Sequence, residues 1–402
     1  MKIAILAERK QPADSRAALT PQQACEINES YQHVSVVAQS SQDRVFTDEE
    51  YRECGVPVVE DVSDCDVLLG VKEVPPEFLI PGKTYFFFSH TIKEQPYNRD
   101  LMRALIGKQI RMVDYECLSW SPGNRILGFG RWAGIVGTYN GFLTWGKKYG
   151  TYQLEPATQL ADYNALLKEV LKTKLPPIKI GLTGSGRVAG GALEILKHCS
   201  IKEVTPSEYK TEVYDEPVFT VLDNPFIYGR VDGEKEWDTQ HFYTHHEEYK
   251  STFEPYMQVT DLLINGMYWE DTLPALFTKE DTKRDDFKIK VIADITCDVE
   301  GSVPITLRAT SIEDPTIGWD ASLQKETQPF TEDSIEVMAV TNLPTELPRS
   351  ASEDFGSNLT QYIIPRLAGE ETDDVIQRAT ICEDGELTSN FTYLSDYAGL
   401  TQ

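Results

Sequence analysis

The stretch Ile178-Lys179-Ile180-Gly181-Leu182-Thr183-Gly184-Ser185-Gly186-Arg187-Val188-Ala189-Gly190-Gly191 decides how this chain is read. Its first half is an apolar, strand-like run, and its second half opens an apolar helical pattern that reaches about His198. Between them stands Gly184-x-Gly186-x-x-Ala189. A first glycine allows a tight turn, a second leaves no Cβ between backbone and a pyrophosphate, and a small third residue lets helix pack on strand. The helix start offers free N–H groups and a positive dipole end to phosphate. Gly184, Ser185, Gly186, Arg187, Val188 and Ala189 are therefore the expected dinucleotide cradle. In such a unit the second strand ends near the ribose, about 20 residues on, with an acid where the cofactor is NAD. The expected second strand, Ile201–Ser207, ends near Thr205, with Lys202, Ser207 and Lys210 close by. That leaves room for a 2′-phosphate and favours NADP(H), while Glu203 keeps NAD(H) possible.

Outward from this motif, short apolar runs alternate with helical patterns. Strands are expected at Lys2–Ala7, His33–Ala38, Asp66–Val71, Thr84–Ser89 and Ile110–Asp114, with helices at Pro21–Ser30, Asp48–Cys54 and Arg99–Gly107. Thr20-Pro21 joins a hydroxyl cap to a proline at the first helical position. Such βα alternation predicts an α/β fold with parallel sheets covered by helices. A glycine- and aromatic-rich helix is expected from Arg131 to about Tyr149, and another over Gln159–Lys172, closed by Pro176-Pro177. Later strands are expected at Asp261–Asn265, Lys290–Ile295 and Ile335–Val340, and tail helices at Phe355–Leu367 and Asp373–Thr380. The polar, aromatic stretch 213–260 reads as an insertion. Residues 1–130 with about 345–402 would make one domain, and 131–344 the dinucleotide-binding one.

At 402 residues the chain is long enough for two or three domains. Its 41% hydrophobic and 25% charged residues fit a globular protein. A net charge of −26 repels phosphate backbones, so nucleic acid and anionic membrane are poor partners. Any anionic substrate then needs a local cationic pocket. No run approaches the ~18 apolar residues of a membrane span. The five-residue apolar stretch near the N-terminus is too short for a signal-peptide core. The 7 cysteines stand singly, which suits a reducing cytoplasm.

Several words of the first third are distinctive: Arg16-Ala17-Ala18-Leu19-Thr20-Pro21, Gly70-Val71-Lys72-Glu73-Val74-Pro75 and Phe87-Phe88-Ser89-His90-Thr91-Ile92-Lys93. In this order, ahead of a glycine-rich βα unit, they resemble the alanine dehydrogenase/transhydrogenase superfamily. Later words narrow the likeness: Asp114-Tyr115-Glu116, Phe129-Gly130-Arg131-Trp132-Ala133-Gly134, Leu263–Glu270, Asp294–Asp298 and Asn342-Leu343-Pro344-x-x-Leu347-Pro348. Together they resemble lysine-forming saccharopine dehydrogenase, and above all the lysine–ketoglutarate reductase half of the bifunctional animal and plant enzymes. The likeness runs from about Ile3 to Phe355. It implies two Rossmann-like domains around a cleft. It also implies a reaction in which lysine and 2-oxoglutarate condense to an imine that NAD(P)H reduces to saccharopine, or the reverse.

By the same resemblance, Lys72 and His90 form the acid–base pair. An ammonium must lose a proton before it attacks a ketone, and a hydroxyl must gain one before it leaves. A lysine ordinarily titrates near ~10.4, so burial or cations such as Arg16 and Lys93 would have to lower it. Imidazoles ordinarily titrate near neutrality. Arg16 is expected to fork onto a substrate carboxylate. Lys10, Lys93 and Arg125 would complete the positive pocket, with Lys10 one residue out of step with the family spacing. Glu73 and Glu116 would balance those cations or hold the lysine amines, and Asp298 would lie near nicotinamide and substrate. Phe129, Asn265 and Gly266 join the cofactor contacts. Fungal members carry cysteines where this chain has Val188 and Gly266, so no disulfide carries over.

His241, His245 and His246 invite a metal reading, but the flanks are acidic and aromatic and HExxH is absent. Two ligands on one helix face do not complete a zinc site, and no metal is expected. Two rivals to the lysine enzyme are an alanine dehydrogenase-like deaminase and a dinucleotide-binding sensor without catalysis.

Overall fold

The computed structural model describes residues 1–120, 124–234 and 236–400. The chain forms two compact units, Met1–Phe129 with Pro348–Gln402, and Gly130–Leu347.

The first unit is built on an eight-stranded sheet. Its strands lie in the order Glu386–Leu387, Thr380–Glu383, Arg111–Asp114, Thr84–Phe88, Val67–Lys72, Lys2–Ile5, Ser35–Gln39 and Val58–Val59. From Arg111–Asp114 to Val58–Val59 every pairing is parallel, and the two tail strands add antiparallel. Central strands are buried on both faces, which is why Val67–Val71 reads as an unbroken apolar run. Helix Pro21–Ser30 starts where the sequence predicts. The Thr20 side chain accepts from Gln23 N–H, and the Gln23 side chain accepts from Thr20 N–H. The tail returns to this helix: Ser352 Oγ accepts from Ala17 N–H at 2.9 Å, and Gln23 Nε2 donates to the Glu353 carbonyl at 2.9 Å. The tail helix begins earlier than expected, at Pro348 rather than Phe355. Strands 380–383 and 386–387 were unforeseen, because short antiparallel edge strands carry little periodic signal.

The second unit has its own eight-stranded sheet, in the order Lys325–Thr327, Thr316–Asp320, Ile335–Met338, Val291–Asp294, Leu262–Asn265, Lys179–Thr183, Val218–Leu222 and Lys202–Glu203. The six from Ile335–Met338 onward are mutually parallel. This corrects the reading of 213–260 as one insertion. Val218–Leu222 is an interior strand hydrogen-bonded directly to Lys179–Thr183, and Lys202–Glu203 lies one place further out, at the edge. The added matter is a hairpin, Tyr228–Arg230 with Tyr249–Ser251, and short helices around it. No helix among the described residues is long and apolar enough to cross a membrane.

Helix Gly130–Tyr149 is buried over most of its length and packs on Arg187–His198, the helix of the glycine motif. Glycines set their separation. A Cβ on Gly134 would sit 1.9 Å from the Val188 carbonyl oxygen, and one on Gly191 would sit 1.9 Å from that of Arg131. Alanine ordinarily improves a helix interior by about 1 kcal/mol over glycine. Here the backbone of one helix occupies the Cβ position of the other, and overpacking of about 1–3 kcal/mol or more outweighs that gain. Gly191→Ala should therefore lower the melting temperature by several degrees, whereas Gly190→Ala, with nothing within 4 Å of its Cβ, should leave it equal or higher. Thermal unfolding of the two variants checks this.

Candidate active site

In a parallel sheet, ligands gather at the carboxyl ends of the strands. In the first unit those ends carry Glu8, Lys72-Glu73, Ser89-His90 and Asp114-Tyr115-Glu116. Strand Lys2–Ile5 stops before its neighbour Val67–Lys72 does, and the last main-chain bond between them is Leu6 N–H to the Leu69 carbonyl. Beyond it the Glu8 carboxylate takes over as acceptor, from Val71 N–H at 2.6 Å and Lys72 N–H at 2.9 Å. Burial pushes the Glu8 carboxyl up to about 7, against the pull of those two bonds.

Lys72 ends its strand half-buried. Lost hydration lowers its amine to about 8, and repulsion from the Arg16 guanidinium adds to the shift, while Asp14 and Glu73 oppose it. Glu73 is buried and stands between Lys10 and His90. Its Oε1 accepts from the Lys10 ammonium, and its Oε2 lies 3.4 Å from His90 Nδ1, an ion-pair distance without hydrogen-bond alignment. Burial alone would raise the Glu73 carboxyl, but His90 and Lys10 outweigh it and hold it at about 2. Lys93 follows His90 on an exposed 3-10 turn.

Arg16 is buried, and Asp14 aims it: Nε donates to Oδ1 at 2.9 Å and Nη2 to Oδ2 at 2.6 Å. The guanidinium carbon lies 4.1 Å from the centroid of the Phe129 ring, which stacks on Phe355 with centroids 4.7 Å apart. Phe129 was expected among the cofactor contacts; it lies in the first unit, beneath Arg16. Arg125 donates to Glu116 at 2.5 Å. The first unit thus gathers Lys10, Lys72, Glu73 and His90 in one network beside Arg16, with the Arg125–Glu116 pair at the end of the adjoining strand. Asp298 belongs to the second unit and is exposed.

The glycine loop of the second unit has the shape a pyrophosphate needs. Gly184 has φ +90°, and a Cβ there would stand 2.8 Å from Met267 Cα. Gly186 caps helix Arg187–His198 with no side-chain bond to its N–H groups, and nothing lies within 4 Å of its Cβ position. Ser185, Gly186 and Arg187 are exposed, and Ala189 is fully buried against the sheet. These residues fit a dinucleotide, which Gly184–Ala189 would hold by main-chain N–H groups. A Cβ on Gly266 would stand 2.9 Å from Val188 Cγ1, so those two positions do face one another, and all seven cysteines are free thiols.

Two expected cofactor residues, Thr205 and Asn265, make hydrogen bonds within the protein, as Asp223 also does by accepting from Asn224 N–H. Thr205 is a helix cap: its Oγ1 accepts from Glu208 N–H, and the Glu208 carboxylate accepts from Thr205 N–H and Oγ1–H. Asn265 is fully buried. Its Oδ1 accepts from Thr183 at 2.6 Å, and its Nδ2 donates to Asp294 and to Ser302, each at 2.8 Å. That side chain ties neighbouring strand ends together. Sequence reading missed Asp223, which follows the strand beside Lys179–Thr183 and is half-buried. The available signal was the apolar run Val218–Leu222 stopping at Asp223-Asn224-Pro225. Glu8 and Asp14, each two residues before a basic residue of interest, were also missed. The histidines are spread: His241 and His245 stack with ring centroids 4.4 Å apart, His246 meets Glu270 at 2.8 Å, and no group able to hold a metal occurs among the described residues.

The alanine dehydrogenase/PNT N-terminal domain family matches residues 4–136. Alpha-aminoadipic semialdehyde synthase of Arabidopsis thaliana is 30% identical over 98% of this chain and 41% of its own length. The mitochondrial enzyme of that name from Mus musculus is 30% identical over 89% of this chain and 44% of its own. Saccharopine dehydrogenase (NAD(+), L-lysine-forming) of Candida glabrata is 25% identical over 87% of each chain. The chain is a homologue of proteins named saccharopine dehydrogenase and alpha-aminoadipic semialdehyde synthase. It spans less than half the length of the semialdehyde synthases. Among solved structures, L-alanine dehydrogenase superposes with a TM-score of 0.66 at 17% identity over 99% of this chain and 100% of the other, a likeness of fold.

The site's electrostatics can be read directly. With ε-carbon-labelled lysine, the Lys72 resonance should titrate near pH 8. In Glu73→Gln it should titrate at lower pH, because the lost carboxylate favours the ammonium. A titration left near the ordinary ~10.4 would contradict the burial argument.

Proposed function

We propose that this chain interconverts lysine plus 2-oxoglutarate with saccharopine, using NAD(H). The observation that carries the reading is the network of Lys72, Glu73 and His90 at neighbouring strand ends, with one amine desolvated and one imidazole paired to a carboxylate. Lys72 takes a proton from the substrate's ε-ammonium, which frees the lone pair to attack the keto carbon. His90, oriented by Glu73, gives a proton to the hydroxyl that departs as water when the imine forms. Arg16, aimed by Asp14, receives a substrate carboxylate, and Lys10, Lys93 and Arg125 offset the negative field of a chain with net charge −26. Glu116 orients Arg125. Asp298 serves the nicotinamide side of the reaction. When bound, the dinucleotide supplies or accepts the hydride.

Cofactor choice turns on Asp223. A carboxylate at the tip of the strand beside the first one accepts from a ribose hydroxyl and repels a 2′-phosphate. Thr205 pointed to NADP(H), but its strand lies at the sheet edge, so the reading shifts to NAD(H). Seven free thiols suit a reducing compartment, and we place the activity in the cytoplasm.

Nicotinamide absorbance with lysine and 2-oxoglutarate should report NADH oxidation well above NADPH oxidation. Alanine with NAD(+) should give none, and turnover on alanine alone would favour the deaminase. Lys72→Met should cost about 100-fold or more in turnover with dinucleotide affinity unchanged. Asp223→Ser should narrow the preference between the two cofactors, and unchanged discrimination would refute the role given to that residue.

A further inference from the structure

The loop that carries His90 is held in a strained shape. His90 and Glu94, neither of them glycine, have φ of +53° and +52°. Such a backbone is strained and persists only where surrounding contacts over-determine it. The first contacts are local. Ser89 N–H and Oγ both donate to Asp114 Oδ2, at 3.0 and 2.5 Å, and Asn98 Nδ2 donates to the Ser89 carbonyl at 3.0 Å. The rest come from the far end of the chain. Tyr397 donates its hydroxyl to the Gln95 carbonyl at 2.6 Å, and Tyr393 donates to the Ile92 carbonyl at 3.1 Å. Tyr397 is buried, and the Arg99 guanidinium lies 5.5 Å from its ring centroid. These two hydroxyls reach main-chain carbonyls on the His90 side of helix Arg99–Gly107, where pairing within the sheet has ended.

We propose that Tyr397 and Tyr393 are positioning residues for His90. The segment Ser389–Ala398 is a strap that fixes the 89–98 loop, so that the imidazole stays against Glu73. Neither tyrosine touches the reacting atoms in this account. The proposal rests on His90 being the proton donor, and it extends the site to Ser389–Ala398.

The test uses the full chain with Tyr397→Phe, Tyr393→Phe and the double variant, each keeping its ring and packing. Amide hydrogen exchange across 89–98 should quicken in Tyr397→Phe and most in the double variant, with the sheet strands unchanged. Turnover should fall about tenfold, as misplacement of a reacting group does, with KM for the dinucleotide unaltered. Unchanged exchange would overturn the strap. Faster exchange with unchanged turnover would overturn its role in positioning. His90→Ala is measured alongside: undiminished turnover there would remove the proton-donor reading, while the exchange data would still decide whether the strap exists. Should the double variant not fold, Tyr393→Phe, at a half-exposed ring, carries the exchange test alone.

Discussion

Desolvation of the Lys72 amine is the constraint around which the first unit is arranged. An ammonium withdrawn from water loses hydration that only neighbouring charges can replace. Arg16 adds repulsion, while Asp14 and Glu73 restore part of the attraction, and the balance leaves the amine at about 8. The neighbours must therefore be held as firmly as the amine itself. Asp14 grips Arg16 through two bonds, and Glu73 is shared by Lys10 and His90. A slack Glu73 would change the charge balance at Lys72 and leave the His90 ring without its neighbouring carboxylate.

That firmness comes from backbone economy at the ends of parallel strands. The ladder must stop somewhere, and the N–H groups beyond the stop need acceptors. Glu8 supplies them for Val71 and Lys72, and Asp114 supplies one for Ser89. Burial raises both carboxyls, Glu8 to about 7 and Asp114 to about 6, so at neutral pH Asp114 keeps its charge by a small margin while Glu8 is close to its midpoint. The second unit solves the same problem with a side-chain network: Thr183, Asn265, Ser302 and Asp294 are joined through hydrogen bonds to Asn265 where three strands end. Its glycines then leave the helix start open to phosphate.

Much of this was legible in the residue order. Helices Pro21–Ser30 and Arg99–Gly107 match their expected bounds, because a cap or a strong apolar stripe marks them. Strand Val218–Leu222 was lost in an acidic, aromatic surrounding that looked irregular, and with it went Asp223. The error has a physical source. Sequence order suggests that the strand after the glycine helix pairs with the strand before it, yet Lys202–Glu203 makes only a two-residue ladder with Val218–Leu222 and sits at the edge. Glu8 escaped notice because its role depends on where a neighbouring strand stops, which no local pattern records.

By itself, the amino-acid order determined the α/β class, the glycine turn with its helix, and the likeness to saccharopine dehydrogenases. Each depends on contacts between residues close in the chain, or on words kept in a fixed order. Only the tertiary structure decided that Glu73 joins Lys10 to His90, that Asp223 rather than Thr205 ends the strand beside the glycine loop, and that tyrosines near the C-terminus reach the His90 loop. Those pairings span tens to hundreds of residues. Their energy comes from burial and hydrogen-bond geometry, which exist only once the sheets have assembled.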